Sequence, residues 1–416
     1  MANTFKFVNW LTMEGLRILI NKSQVAQFFN TSYNKEFTRE FAVGETVEVK
    51  YPQRFLIRNG LGYSPQPIAR KSTTVNVDQI FGIDFEWDSV EKALNAERGE
   101  DAIRKEYLEP AMAQIASELD SRCANYALLN TPHIVGALGT NPTATSTYQK
   151  ARTRLFQLAC PPGEKGMIVS PSMMESLVTA NSGLSGWFNP PDEISKAFKE
   201  GAIGKAAGFN WYESNNLYSL TSGTEANAAA MQVYTAPVSG ATQVTIAGGA
   251  GDTYKKGESI NFALAYETNP QNRRSIGVLK EFVVTEDLTL VGDNSDVLKF
   301  WPPIEGPGSQ YQNVSALPAA GAVIIRQPGT TSPSGKSGVC GLALHQDAFA
   351  LVGVKLETPK AVELASQTRD PETGISIRFI RQFDPNTSKM INRFDVLLGF
   401  GRLYADHCAV KVASLT

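Results

Sequence analysis

Few residues in this chain are of the kinds that chemistry most often needs. Histidine occurs three times and cysteine four times in 416 residues. His133, His345 and His407 have no second ligand type at metal-binding spacing, so no zinc or other metal site is expected. Cys123, Cys160, Cys340 and Cys408 are scattered without C-x-x-C spacing, which excludes a disulfide framework and fits free thiols in a reducing compartment. Charged residues make up only 19% and the formal net charge is −2, so no global field draws the chain to nucleic acid or to an anionic membrane. Long apolar runs are missing as well. Near the N-terminus Asn9, Thr12, Glu14 and Arg17 interrupt Phe5, Phe7, Val8, Trp10, Leu11 and Met13. That pattern predicts a short amphipathic arm helix rather than a signal peptide or a spanning segment.

Catalytic patterns are equally scarce. The run from Gly329 to Ser337 resembles a phosphate-binding P-loop, but it places five residues before Gly335-Lys336 where that motif has four, and Pro333 stiffens the loop. Gly248, Gly249 and Gly251 lack the G-x-G-x-x-G order and precede no helical pattern. His345-Gln346-Asp347 has no nucleophile elbow to serve, and His407 and Cys408, as neighbours on an extended chain, would point apart. The chain is therefore read as a non-enzyme without cofactor.

What the sequence does contain is an unusually long alternation. Val75, Val77, Phe81, Ile83, Phe85 and Trp87 occupy odd positions, while Asn76, Asp78, Asp84, Glu86 and Asp88 occupy even ones, and only Gln79 and Ile80 break the pattern. At about 3.3 Å per residue such a strand spans roughly 43 Å, far beyond the usual length. A partner is visible in Val47, Val49 and Tyr51, continuing through Phe55 to Arg58, with Gly60, Gly62, Pro65 and Pro67 as turn signals between the two. The pair predicts a long hairpin whose apolar face must be covered, either by its own domain or by a neighbouring subunit. Lys50, Arg54, Arg58, Arg70 and Lys71 oppose Asp78, Asp84, Glu86 and Asp88 in sign, which fits either pairing inside the hairpin or complementary contact between subunits.

The remainder divides by style. A length beyond the ~250–300 residues at which single cores stop growing predicts several domains. Leu108, Met112, Ile115, Leu119, Cys123 and Tyr126 predict one long helix over 99–130, kinked at Pro110. A helix over 147–159, a buried strand over 167–169 and a helix opened by Ser170-Pro171 form an α/β unit, followed by a short helix over 193–200 and an extended stretch over 207–212. Residues 222–338 are rich in Gly, Thr, Val and Asn and predict an inserted all-β module, with strands over 243–246, 259–265, 275–285, 297–301 and 322–326. Ile375, Ile377, Phe379 and Phe383, turned by Asp384-Pro385-Asn386 into Phe394, Val396, Leu398 and Phe400, predict a closing antiparallel hairpin. The fold class is α+β.

Three stretches, 197–209 (AFKEGAIGKAAGF), 212–217 (YESNNL) and 342–351 (LALHQDAFAL), together with this order of parts, resemble the Hong Kong 97-type major capsid proteins of tailed double-stranded DNA phages. Within that group the chain is most similar to coat proteins of the short-tailed Salmonella-phage type, which carry an inserted β domain. The resemblance implies an N-terminal arm (1–37), an extended hairpin loop (38–90), a peripheral domain with a spine helix (91–146 and 368–416), an axial α/β domain (147–221 and 339–367) and a barrel-like insertion (222–338). It implies hexamers and pentamers of the chain itself, a scaffolding protein, a portal protein and packaged double-stranded DNA held without sequence specificity, with no membrane, and it leaves open whether a decoration protein attaches. It places the protein in the virion, assembled in the host bacterial cytoplasm. Under it, Lys50, Arg54, Arg58, Arg70, Lys71, Asp84, Glu86 and Asp88 are the inter-subunit candidates. The competing reading is a carbohydrate- or surface-binding protein whose β module presents Tyr254, Tyr266, Trp301 and Tyr311.

Overall fold

The computed structural model describes residues 2–32, 47–88, 104–179 and 204–415, apart from 52–53, 58–59, 63–64, 67, 69–71, 226–230, 293, 329–332, 360–361, 371–372 and 387–388. The chain forms two compact units: Met1–Val49, Ser72–Cys123 and Phe349–Leu403 make the first, and Lys50–Lys71, Ala124–Ala348 and Tyr404–Thr416 the second. The short helix expected over 193–200 lies outside the described residues.

The first unit is organised by the alternation. The strand Ser72–Asp88 runs 17 residues, its odd side chains half-buried or buried from Thr73 to Phe85 and its even ones exposed. Its main partner differs from the sequence expectation. Only Val47–Lys50 forms a strand beside it, and the described residues 54–57 form none; from Asn76 to Asp88 it pairs instead with Lys389–Arg402, which also pairs with Ser376–Asp384 in the expected closing hairpin. The reason is packing. Phe85 and Phe379 both close on Phe394, at 6.1 and 4.9 Å between ring centroids, so three strands share one aromatic face. The two residues that break the alternation sit beside a bulge between Val77 and Gln79. There the Gln79 Oε1 accepts from Arg122 at 2.8 Å, and the Arg122 guanidinium lies 4.6 Å from the centre of the Phe81 ring, so Gln79 faces the long helix while Ile80 is exposed.

That helix, Glu109–Asn130, follows a π-helical turn at Arg104–Leu108. Pro110 follows directly on that π turn inside one continuous helical run, so the expected distortion takes the form of a widened turn that accommodates the missing N–H. The N-terminal helix, Ala2–Lys22, crosses it at Gly15, where a β-carbon would sit 3.3 Å from the Met112 sulfur. Beyond the crossing, the amides of Gln24, Val25 and Ala26 all donate to the Asp120 carboxylate at 2.7–3.0 Å. Burial raises the Asp120 pKa, and the three amides pull against it.

The second unit holds a seven-stranded mixed sheet. Its order is His133–Gly136, Ala409–Ala413, Ser337–His345, Lys165–Val169, Phe209–Glu213 and Lys205–Ala206, with Ser219–Thr221 on the far end of Ser337–His345. Helices Thr145–Gln157 and Pro171–Thr179 pack Tyr148, Leu155, Met173 and Leu177 against Met167, Val169, Phe209 and Val412. Ser170 Oγ accepts from the Met173 amide, the N-cap that Ser-Pro signalled.

Every strand expected in the insertion is present: Ala241–Ala247, Ser259–Thr268, Ser275–Val284, Asp296–Ile304 and Ile324–Gln327. With Gln232–Val233 they form one six-stranded sheet, and a bridge between Gln232 and Val323 joins its two ends, so the module is a closed small barrel. Phe262, Phe282 and Phe300 meet at its centre with ring centroids 5.1–5.5 Å apart. The buried Arg326 ties the barrel to its stem, donating to Glu258 at 2.8 Å and to the Thr253 carbonyl at 2.6 Å.

A buried charge cluster joins the barrel strands to the mixed sheet. Arg154 approaches Glu267 at 2.6 Å and Glu281 at 3.5 Å, Lys280 bonds Glu267 at 2.8 Å and also Asp406, and His133 Nδ1 lies 2.8 Å from Glu281. Three carboxylates thus face Arg154, Lys280 and an imidazole. Burial works against protonation of His133, but Glu267, Asp406 and Glu281 outweigh it and raise its pKa.

Candidate assembly surface

Among the described residues of the segment 50–71, four apolar side chains stand bare. Ile57 is 91% and Leu61 99% exposed, and Phe55 and Ile68 are exposed at 62% and 68%. Gly60 takes a positive φ of 86°, which lets the chain reverse there. Below the reversal, the Gln66 side chain reaches across to the Leu56 backbone, its Oε1 accepting from the amide at 2.7 Å and its Nε2 donating to the carbonyl. This amide side chain links two points of the segment that are ten residues apart in sequence.

The base of this loop is held by cations. Arg54 Nη2 lies 3.0 Å from His407 Nε2 and its guanidinium 5.7 Å from the Tyr311 ring centre. Arg273 donates to the Phe55 carbonyl at 3.2 Å and to the Gln310 carbonyl at 3.1 Å. Together Arg54, Arg273, His407, Pro270 and the Leu158–Ala159 turn line an open cleft of about 440 Å³. Desolvation, then the Arg54 charge, lower the pKa of Arg273. Two guanidinium groups in one cleft suit a carboxylate from outside.

The first unit offers a second exposed surface, the even face of its long strand. Asp84 lies 3.7 Å from Arg393, Glu86 pairs with Lys389, and Asp395 is held by Arg378 at 2.6 Å and by Arg393 at 2.6 Å. Ile80 stands 56% exposed in the same row. A β-carbon at Gly82 would collide with the Phe394 carbonyl, so only glycine admits this close pairing beside Asp395.

Of the residues singled out in the sequence, Lys50 is exposed at the end of the edge strand, and Arg54 turns to His407 and Tyr311. Asp84 and Glu86 find cross-strand partners in Arg393 and Lys389. Arg58, Arg70, Lys71 and the side chain of Asp88 lie outside the described residues. Ile57, Leu61 and Arg273 were not singled out, although apolar residues inside a Gly- and Pro-rich turn carry a readable signal: nothing local can bury them. The aromatic residues behind the surface-binding alternative do not form a platform. Tyr254 is fully buried beneath Arg326, Tyr311 lies half-buried beneath Arg54, and only Tyr266 reaches 37% exposure. Part of the P-loop-like run, 329–332, lies outside the described residues, and Lys336 leads into the strand Ser337–His345 in place of the helix a phosphate site needs.

Residues 73–406 match the family model described as P22 coat protein, gene protein 5. No curated protein sequence matches the chain. Among solved structures it is similar to a chain of Mycobacterium phage Che8, with 13% identity over 94% of this chain and 90% of that one at a TM-score of 0.47. It is also similar to the capsid of cyanophage P-SCSP1u (12% identity, 90% and 84% covered, TM-score 0.40). A third is the acid-stable capsid of Helicobacter pylori bacteriophage KHP30 (11% identity, 93% and 87% covered, TM-score 0.42).

Proposed function

Because the chain belongs to the P22 coat protein family and is a phage major capsid protein, we propose that it closes an icosahedral shell of hexamers and pentamers around double-stranded DNA. It is a structural component of the virion and assembles into an oligomeric shell. In our reading the arm (1–37), the extended loop (38–90), the peripheral (91–146 and 368–416) and axial (147–221 and 339–367) domains and the insertion (222–338) serve that shell. Scaffolding and portal proteins guide its assembly in the bacterial cytoplasm, and DNA is held without sequence specificity.

One observation carries the role of the loop: Ile57 and Leu61 stand almost wholly in water at its tip. Two such side chains, each able to contribute about 1.5–3 kcal/mol on burial, gain nothing in a solitary subunit and gain fully against a neighbour. The charges then set register: Lys50, Arg54, Arg58, Arg70 and Lys71 on the loop meet carboxylates such as Asp84, Glu86 and Asp88 of an adjoining copy. Such contacts are weak singly and are repeated by symmetry.

Deleting Asn59 to Pro67 tests this. The expected product is a folded chain with unchanged circular dichroism that sediments as a small species and forms no closed particles under negative stain. Particles of normal size and yield would overturn the assignment.

A further inference from the structure

Sequence spacing kept the cysteines and histidines apart, but the fold of the second unit brings three of them together. Cys160 and Cys408 have their sulfurs 3.6 Å apart, and a ring nitrogen of His345 lies within 4.8 Å of both. They come from three elements: the turn after helix Thr145–Gln157, the helix Ala405–Cys408 and the end of strand Ser337–His345. Cys408 and His345 are buried, whereas Cys160 is half-buried and gives an ion a way in from solvent.

The distance between the two sulfurs excludes a disulfide and fits either a thiol–thiol hydrogen bond or two ligands of one ion. A disulfide needs about 2.05 Å between sulfurs. Two thiolates about 2.3 Å from a tetrahedral zinc ion are separated by roughly 3.8 Å, close to the spacing present. The imidazole borders the same space. Its Nε2 is buried against Gly163, where a β-carbon would come within 2.5 Å of it, and the Pro162 carbonyl is a backbone partner of the ring. Its Nδ1 accepts from the Asp347 amide at 3.2 Å, with the Asp347 carboxylate 3.7 Å away. Ligation through Nε2 moves the ring proton to Nδ1, where that carboxylate can accept it and orient the ring.

We propose that Cys160, His345 and Cys408 form a binding site for one divalent zinc-like cation, with water in the fourth tetrahedral position. Two sulfurs and one imidazole nitrogen make a borderline-soft donor set that prefers zinc over magnesium or calcium. On binding, each thiol S–H breaks as its sulfur–metal bond forms, and the two protons pass to solvent without any change of oxidation state. The ion would pin the turn after helix Thr145–Gln157 and the C-terminal helix to the central strand of the mixed sheet.

The full-length chain, purified reduced and stripped with a chelator, tests this by titration with Co²⁺ alone and then Zn²⁺. The expected result is one equivalent of cobalt with a thiolate-to-cobalt charge-transfer band and strong tetrahedral d–d bands, all abolished by one equivalent of zinc. Cys160→Ser and His345→Gln should each weaken cobalt binding by at least about tenfold. If either variant fails to fold, the wild-type chain decides: zinc should slow maleimide labelling of Cys160, read by peptide mass spectrometry, by at least about tenfold. Absence of the thiolate band, unaltered cobalt binding in folded Cys160→Ser, or an unchanged labelling rate would overturn the site. So would a Cys160–Cys408 disulfide in a chain whose reduced form retains no metal.

Discussion

Two sets of ion pairs in this protein use the same residue types and stand in opposite surroundings. On the even face of the long strand, Glu86–Lys389 and Asp84–Arg393 have side chains 45–64% exposed. In the second unit, Arg154, Lys280, Glu267, Glu281 and His133 are at most 9% exposed and interlock through shared carboxylates. Exposed pairs gain little over water and are screened by salt, so they can exchange partners at almost no cost. Buried pairs interact through a weak dielectric, and removing one member strands the rest. The first set therefore suits contacts that form and re-form as a shell assembles, and the second suits the permanent seating of the barrel on its sheet.

The sharpest way to break this contrast is to remove one buried cation. Arg154→Met leaves Glu267, Glu281 and Asp406 facing Lys280 and His133, and a loss of about 3–5 kcal/mol is expected. Urea unfolding of the unassembled chain measures it through the midpoint at constant slope. A loss under about 1 kcal/mol would mean that water already reaches the cluster and that the two sets differ only in position.

How much of this was legible depends on whether the governing signal is local. Side-chain direction repeats every two residues in a strand, so the run from Val75 to Trp87, the barrel strands and the closing hairpin could all be read from neighbours in sequence. The partner of the long strand could not, because Lys389–Arg402 lies some three hundred residues on and competes with an equally plausible strand at Val47–Lys50. The cluster was hidden for the same reason. His133, Arg154, Glu267, Lys280, Glu281 and Asp406 share no spacing, and each alone is an ordinary polar residue. Bare apolar residues at the loop tip were half-visible: Phe55-Leu56-Ile57 has strand-like composition, but glycine and proline around it deny it a sheet.

A second, smaller effect sharpens the contrast through pH. Arg154 and Lys280 supply two positive charges against three carboxylates, and a protonated His133 cancels the excess. Its pKa is raised in the folded chain: burial opposes the charge, and Glu267, Asp406 and Glu281 prevail over burial and over Arg154. The folded state then holds this proton more tightly than the unfolded chain, whose histidine titrates near about 6.5. The resulting stabilisation is complete below that pH and is lost as pH rises through the raised value. Glu267→Gln balances two cations against two carboxylates and removes the reason for the proton. Unfolding midpoints across neutral pH should decline in the wild type relative to Glu267→Gln; parallel curves would show that His133 stays neutral.

The smallest expected effect belongs to the exposed set. Asp84→Asn with Glu86→Gln removes two carboxylates whose partners, Arg393 and Lys389, stay solvated, so the unassembled chain should lose less than about 1 kcal/mol per pair, and less still in high salt. Arg393 keeps its bond to Asp395 in any case, at 2.6 Å. Shell formation should respond more strongly than folding, because cross-subunit charges act on encounter and register. Light scattering of assembly beside urea unfolding of the same double variant separates the two. A loss of several kcal/mol in the unassembled chain would mean that these charges hold the strand pair itself together, and the exposed ladder would then belong to folding as much as the buried cluster does.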